Sequence, residues 1–162
     1  MAVQVAPASA PVIVNTAGAP SRAVCGLLVT VPLLQLAGCL AERDDLTRAR
    51  SAYGQARVRR PPSLRAALGE ALTLPMVYDS AQHAVDERAN YAAGVGRLAA
   101  TLPELARGRS FADVVDDLRW SNFLLAYQGE DDRELQSRYA SAVAAAIDVV
   151  APEWRIAPPR AA

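Results

Sequence analysis

The sequence predicts an all-α protein, a small antiparallel bundle of about five helices. Hydrophobic residues make up 52% of the 162 residues but aromatic residues only 6%, and alanine dominates, which favours closely packed helices over a β-sandwich. Apolar residues recur at spacings of three and four, as on one face of a helix. Short segments containing Pro or Gly separate these stretches, and short connections favour antiparallel neighbours.

The first predicted helix of the body covers residues 42–58, and Pro61 and Pro62 end it. Its apolar stripe consists of Leu46, Ala49, Tyr53 and Ala56. Ser63 is the predicted N-cap of a second, short helix, because a serine oxygen can accept a hydrogen bond from a free backbone N–H there. The apolar residues of that helix are Leu64, Ala67, Leu68 and Ala71, and Pro75 interrupts it.

The longest predicted helix covers residues 76–102, and Pro103 with the 107–109 turn separates it from the next. Its expected buried stripe is Val77, Ala81, Val85, Ala89, Ala92, Val95, Ala99 and Leu102. Gly94 and Gly96 are unfavourable inside a helix, so they indicate either a close helix crossing or a bend.

Two further helices complete the predicted bundle. Ser110 and Asp113 have the spacing of a capping box, and Gly129 stops the helix that follows them. Its apolar side is Phe111, Val114, Val115, Leu118 and Phe123. Asp131 or Asp132 then caps a helix that runs to Val150. Its buried face is Leu135, Tyr139, Ala142, Val143, Ala146 and Val150, and residues 152–162 form a Pro-rich flexible tail.

Charge is distributed unevenly along the chain. All 17 basic residues are arginine, and they balance 17 acidic residues, so the net charge is zero and the bulk charge argues against a nucleic-acid binder. The first 38 residues contain only one charged residue, Arg22. This boundary indicates that the front of the chain is not part of the fold.

Residues 22–39 have the three-part layout of a secretory signal. Arg22 precedes an apolar run over residues 23–34, and Leu36-Ala37-Gly38-Cys39 follows. That last segment resembles the lipobox of bacterial lipoproteins. The resemblance implies that a diacylglyceryl group is attached to Cys39, that a peptidase cleaves after Gly38, and that lipid then holds the chain on a membrane.

The resemblance divides the chain into a signal peptide at 1–38, a helical domain at 39–151 and the tail. Residues 1–13 then precede an alternative start at Val14, which would give a signal of ordinary length. Leu40 follows the lipid site where an Asp would often retain a lipoprotein in the inner membrane, so the family implies an outer-membrane lipoprotein that faces the periplasm. Two alternatives remain: residues 23–40 form a buried core helix, or they form an uncleaved anchor, although they are short for a membrane span.

The candidate chemical groups favour binding over catalysis. Asp79, His83 and Glu87 share one helix face, but zinc usually needs more nitrogen or sulfur ligands, so a solvated face is the preferred interpretation and no metal or cofactor is predicted. With a single histidine, few nucleophile–histidine arrangements are possible, and we predict no catalytic residues and no enzyme. The alternative is a cell-wall-acting enzyme that uses carboxylates such as Asp113, Asp116 or Asp117.

Six arginines and no acidic residue lie between residues 46 and 69. They are Arg48, Arg50, Arg57, Arg59, Arg60 and Arg65. Acidic residues dominate residues 104–134, so the two segments either pair within the bundle or are solvated. The functional alternative is that the arginines bind anionic lipid or an acidic partner close to the lipidated cysteine.

Three aromatic residues late in the chain are candidates for a protein interface. Trp120, Tyr127 and Trp154 either anchor a partner or fill a core built mostly of alanine. Taken with the lipobox, they predict a lipid-anchored, periplasm-facing binding or assembly module that holds a protein partner at the cell envelope.

Overall fold

The computed structural model describes residues 22–59 and 63–155, with side chains described from residue 30 onward. Within these ranges the chain forms six α-helices and two 3-10 helices and contains no strand, which confirms the predicted helical bundle. The α-helices are α1 Arg22–Glu42, α2 Leu46–Arg57, α3 Leu64–Leu72, α4 Ala81–Ala106, α5 Phe111–Asp117 and α6 Arg133–Val150, and the 3-10 helices are Phe123–Gln128 and Pro152–Trp154. The alternative start, the Pro61–Pro62 pair and the tail beyond Arg155 lie outside the described residues.

Serine side chains begin three of the helices. The Oγ atoms of Ser63, Ser80 and Ser110 each accept a hydrogen bond from the backbone N–H three residues later, over 3.0–3.2 Å. These bonds satisfy N–H groups that have no partner within the helix. The caps at Ser63 and Ser110 were predicted, whereas the cap at Ser80 corrects the expected start of the long helix from residue 76 to Ala81.

Helices that follow one another pack against one another, from α1 on α2 to α3 on α4, and α6 returns to pack along α4. The main core lies between α3, α4 and α6. Its largest fully buried side chains are Tyr91, Leu64, Leu68, Leu98, Leu102, Leu125, Val95 and Val114. Burial of these side chains is the main favourable contribution to folding, since no disulfide links the described residues.

A second, smaller cluster joins α1 to α2. Ala37, Ala52 and Tyr53 are its buried members, and Leu34, Leu40 and Trp120 pack around them. The C-terminal half of α1 therefore packs against α2. Among the described residues, no helix combines the length and the apolar character that crossing a membrane requires.

The long helix α4 does not end at Pro103 as predicted. It continues to Ala106, and Leu102 and Ala106 on either side of the proline are both fully buried. A proline near the end of a helix removes one backbone hydrogen bond. Packing of the last turn into the core outweighs that loss.

The predicted stripe of α4 is wrong in its first half and at Ala99, which is exposed, and its first member, Val77, lies before the helix. Val85 is 59% exposed, and Ala81 and Ala89 are exposed with it. The buried face instead follows Glu87, Tyr91, Gly94, Val95, Leu98, Leu102 and Ala106. This face contains the larger side chains, and Glu87 is buried there because Arg50 of α2 forms an ion pair with it.

The segment 110–129 is not one helix. Helix α5 ends at Asp117, and the chain turns before the 3-10 helix, which Gly129 stops in a left-handed conformation (φ 74°) as predicted. The Asp117 carboxylate accepts a hydrogen bond from the Leu64 backbone N–H at 3.1 Å, which ties the end of α5 to the start of α3. Phe123, expected in the core, is 65% exposed as a result of the turn.

The predicted face of α6 is confirmed. Leu135, Ala142 and Ala146 are buried, and the other three members pack against the core. Asp132 is the residue at the cap position, while the Asp131 carboxylate accepts a hydrogen bond from the Arg133 backbone N–H at 3.0 Å. The two aspartates thus share the start of the helix.

Candidate functional site

Cys39 lies near the C-terminal end of α1 with an exposed, free thiol. A surface cleft of about 400 Å³ surrounds it, lined by Leu36, Leu40, Arg43, Asp45 and Arg48. The thiol is therefore accessible, and the cleft around it contains both leucine side chains and two arginines. Such surroundings suit a thiol that carries a lipid beside phosphate groups.

The predicted cleavage site lies inside α1. The bond between Gly38 and Cys39 follows Ala37, which is fully buried against α2. Hydrolysis of this bond would remove Leu34 and Ala37 from the cluster around Tyr53. The described helix is thus the form of the chain before any such cleavage.

Six arginines between residues 46 and 69 were predicted to bind anionic lipid or an acidic partner, and we call them the patch arginines. Three of them bind groups within the bundle instead. Arg50 donates hydrogen bonds to both carboxylate oxygens of Glu87 and, at 2.8 Å, to the Thr73 carbonyl. Arg57 forms an ion pair with Glu70. The third of these, Arg65, donates hydrogen bonds to the backbone carbonyls of Asp116 and Arg119 at 3.2 and 3.4 Å, near the end of α5.

The other three patch arginines differ in position. Arg48 is exposed, forms an ion pair with Asp45 at 3.2 Å and lines the Cys39 cleft. Arg59 is exposed after the end of α2, and Arg60 lies outside the described residues. The sequence analysis missed Arg43, which also lines the cleft and lies in the turn after α1; its position only four residues after Cys39 in the chain could have identified it.

The acidic segment forms its ion pairs with arginines outside the predicted patch. Asp117 pairs with Arg109 and Asp132 with Arg88, at 2.8 and 2.7 Å, and both pairs are mostly buried. The other candidate catalytic carboxylates are bound locally: Asp113 accepts a hydrogen bond from the Ser110 hydroxyl, and Asp116 lies 3.6 Å from Arg119. Each of the three carboxylates therefore has a hydrogen-bond or ion-pair partner, and in none of the three contacts is that partner another carboxylate.

The three residues considered for a metal do not converge. The His83 Nδ1 atom accepts a hydrogen bond from the Asp79 backbone N–H at 3.3 Å and lies 3.5 Å from the Asp79 carboxylate. The Glu87 carboxylate is instead bound by Arg50. In the part of the chain that the structure describes, no group of three His, Cys, Asp or Glu residues could hold a metal ion.

The three candidate interface aromatics fall into two environments. Trp120 is half-buried and contacts Tyr53 edge-on, with ring centroids 6.1 Å apart, so it belongs to the packing between α2 and the segment before the 3-10 helix. Tyr127 and Trp154 are exposed. Tyr127 lies edge-on to Phe123, an exposed aromatic residue that the sequence analysis had assigned to the core.

A groove runs between the first half of α4 and the start of α6. Its volume is about 720 Å³, and its apolar floor consists of Ala81, Ala84, Val85, Ala89, Ala92 and Leu135. Most of these residues belong to the stripe that was predicted to be buried. The groove is therefore an apolar helix face that no described element covers.

The rim of this groove carries more negative than positive groups. Glu130, Asp131 and Glu134 line it together with Arg88 and Arg138. The Arg88 guanidinium is already bound by Asp132, Gln128 and the Asp131 carbonyl. Hydrogen bonds from Arg133 lower the pKa of the Asp131 carboxyl below its usual value of 3.8, so this group stays ionised at neutral pH.

No protein-family model, curated protein or solved structure matches this chain. Functional conclusions therefore depend on the sequence motif and on the geometry of the cleft and the groove.

Proposed function

We propose that this protein is a lipid-anchored, periplasm-facing binding module that holds a protein partner at the outer membrane. The observation that carries the proposal is the exposed Cys39 thiol, which stands at the end of a segment that resembles a lipobox. Leu40, Arg43 and Arg48 line the cleft around it and would stay in the chain after cleavage. A lipid on Cys39 would leave the body of the bundle beside the membrane surface.

Arg43 and Arg48 would then contact anionic lipid headgroups. Both line the cleft around Cys39, so both would lie close to the membrane surface once the lipid is inserted. The ion pair of Arg48 with Asp45 is mostly exposed and contributes little to stability, so exchange of the carboxylate for a phosphate costs little. Arg50 and Arg57 are engaged with Glu87 and Glu70 and take no part in this contact.

The groove between α4 and α6 would bind the protein partner. Its alanine floor allows the backbone of another helix to come close, and its rim has an excess of carboxylates. These properties suit an amphipathic helix of the partner, with a row of small apolar residues and basic residues beside it. The groove lies on the outer face of α4, far along the chain from the anchor at the end of α1.

Palmitate labelling in the host tests the anchor, because the chain contains only two cysteines. We expect Cys39→Ala to abolish both the label and membrane association, whereas Cys25→Ala keeps both, since Cys25 would be removed with the signal. Label on the Cys39→Ala variant, or an unlabelled full-length chain, would overturn the anchor.

Binding to vesicles tests the arginines separately. The acylated protein with Arg43→Gln and Arg48→Gln should bind vesicles containing phosphatidylglycerol about thirtyfold more weakly, since each of the two basic residues near such a surface contributes about 1 kcal/mol. Arg107→Gln with Arg133→Gln is the matched control, because both are exposed and lie away from the cleft. Equal loss in the two double variants would contradict a specific contact.

Site-specific photocrosslinking in the host tests the groove. A crosslinker at Val85 should yield one discrete adduct, whereas a crosslinker at Val58, which is also well exposed but follows the end of α2, should not. We expect the adduct to require Cys39 and to map to a helical segment with basic residues. An adduct of equal yield from position 58, or one that maps to an extended segment, would contradict this docking mode.

A further inference from the structure

One face of α2 is covered by α1, mainly by residues that the proposed cleavage removes. Ala52 and Tyr53 are the buried members of this face, only 4% and 7% exposed. On the side of α1, Ala37 is buried with them, and Leu34 and Leu40 pack around the cluster. Of these three α1 residues, only Leu40 lies after the proposed cleavage site. Cleavage therefore uncovers an apolar part of α2.

Helix α2 has other contacts that keep it in place once α1 is shortened. The Tyr53 ring packs so closely on Gly69 of α3 that a Cβ atom there would lie 2.5 Å from it. The guanidinium groups of Arg50 and Arg57 form ion pairs with carboxylates of α4 and α3. None of these contacts involves α1. The shortened chain thus keeps α2 on the bundle, with the former α1 side open.

The uncovered surface combines small and aromatic side chains. Trp120 packs around the same cluster and contacts Tyr53 edge-on, with ring centroids 6.1 Å apart. We call Ala52, Tyr53 and Trp120 the α2 face. Tyrosine and tryptophan are enriched where a membrane meets water, because each has an apolar ring and one polar group. Exposure of such a surface to water is unfavourable, so the α2 face requires a new cover.

The proposed lipid attachment site lies beside this face. Ala37, which is fully buried against it, precedes Cys39 by two residues, or about 3 Å along a helix axis. Acyl chains on Cys39 enter the bilayer, so the surface next to that residue is the first to meet the membrane. The groove between α4 and α6 is lined only by residues from Ala81 onward and is a separate surface.

The charges along α2 suit an anionic membrane. Residues 46–69 contain no acidic residue, and the only acidic residues before them lie in the turn at 42–45. Arg48 lies four residues before Ala52, on the same side of the helix, and Arg59 follows the end of the helix. Both arginines are exposed. Basic residues beside an apolar helix face are typical of helices that lie on anionic lipid.

We propose that residues 22–38 cover the α2 face before cleavage, and that the anionic bilayer surface covers it afterwards, with Tyr53 and Trp120 at the level of the lipid headgroups. This inference rests on the proposed cleavage and lipid anchor. It adds which surface of the bundle faces the membrane, and it assigns to the signal segment a second role within the fold.

Trp120 can report the contact. The chain has two tryptophans, so Trp154→Phe leaves Trp120 as the only indole. We would place the cleaved, acylated protein on phosphatidylglycerol vesicles whose acyl chains carry bromine, which quenches an indole that touches them. Trp120→Phe is the matched control, because it leaves Trp154, which is exposed and packs on Phe111 away from the α2 face. Flotation of the vesicles measures anchoring independently of fluorescence.

On these vesicles, the emission of Trp120 should shift to shorter wavelength and be quenched by the brominated lipid. The emission of Trp154 should show neither change. The same acylated chain, isolated before cleavage with the peptidase inhibited, should show weaker quenching of Trp120, because α1 still covers the α2 face.

The outcomes separate this inference from the anchor itself. Protein that floats with the vesicles while Trp120 is not quenched would keep the anchor and overturn the membrane contact. A shift to shorter wavelength without quenching would likewise overturn it, because a protein surface would then cover the face. Equal quenching before and after cleavage would overturn the covering role of α1. A chain that is neither acylated nor cleaved would overturn both proposals.

Discussion

The two halves of α4 use the same kinds of residue in opposite ways. In the second half, Val95, Leu98 and Leu102 are buried and the apolar stripe is the core face. In the first half, Val85 and Ala89 are exposed while Glu87 is buried. The difference arises because Arg50, 37 residues earlier in the chain, neutralises Glu87. Apolar spacing therefore identifies the core face only where no distant partner makes a charged residue suitable for burial.

The largest effect that separates the two halves should come from alanine substitutions. Leu98→Ala should lower the free energy of unfolding by about 2–5 kcal/mol, because it leaves a cavity in the main core. Val85→Ala, at an exposed position, should change it by less than about 0.5 kcal/mol. Urea denaturation of both variants measures the two values, and comparable losses would contradict the assignment of the faces.

Gly94 and Gly96 lie only two residues apart in α4 but differ in the space that surrounds them. A Cβ atom at position 94 would lie 2.2 Å from the Ala71 carbonyl oxygen, whereas one at position 96 would meet only the Arg138 side chain at 3.4 Å. Gly94→Ala should therefore destabilise the fold by about 1–3 kcal/mol or more, since the α3 backbone must move. Gly96→Ala should stabilise it by up to about 1 kcal/mol through helix propensity. Thermal unfolding of the pair checks both signs, and two shifts of the same sign would refute the close crossing at Gly94.

The buried charge in the first half of α4 can be tested directly. Glu87→Gln keeps the shape but leaves the Arg50 guanidinium without its counterion, so we expect a loss of about 1–3 kcal/mol. The control is Glu104→Gln, whose ion pair with Arg107 is exposed and should contribute less than about 1 kcal/mol. Urea denaturation measures both losses. If Glu87→Gln lowered the free energy of unfolding no more than Glu104→Gln does, the ion pair with Arg50 would not explain why Glu87 is buried.

The smallest expected effect concerns Asp131, on the rim of the groove formed by the first half of α4. Arg133 lowers the pKa of Asp131 below its usual 3.8, so the ionised group stabilises the folded state above that pH. That contribution is lost as the pH falls through the lowered pKa. The thermal midpoints of the wild-type and Asp131→Asn proteins should therefore differ at pH 7 and converge at strongly acidic pH. A difference that grows on acidification would contradict this sign.

Local signals predicted most helix ends correctly. Ser63, Ser110 and Gly129 act through contacts within a few residues, so their effect is visible in the sequence. Pro103 and Phe123 were misjudged because their environments depend on tertiary packing. The core around Leu102 and Ala106 extends α4 past the proline, and the bond from Leu64 to Asp117 helps end α5 before Phe123.

The same distinction applies to the candidate sites. The segment at Cys39 that resembles a lipobox is contiguous, so the anchor can be predicted from sequence, but it remains a prediction. Of the two arginines beside the thiol, Arg43 lies in the turn after α1 and Arg48 lies in α2, so the path of the chain between these helices brings them together.

The Arg50 side chain also affects which helices of the bundle can unfold before the rest. Helix α2 packs on α1 and α3, and Arg50 is the side chain that reaches from it to both α4 and the end of α3. Without that guanidinium, α1 and α2 would be held to the rest of the molecule mainly through α3 and through the packing of Trp120 on Tyr53. They could then separate as a cooperative unit before global unfolding. Amide hydrogen exchange would reveal such a unit as faster exchange confined to α1 and α2, while α4 and α6 keep the protection set by the global free energy of unfolding.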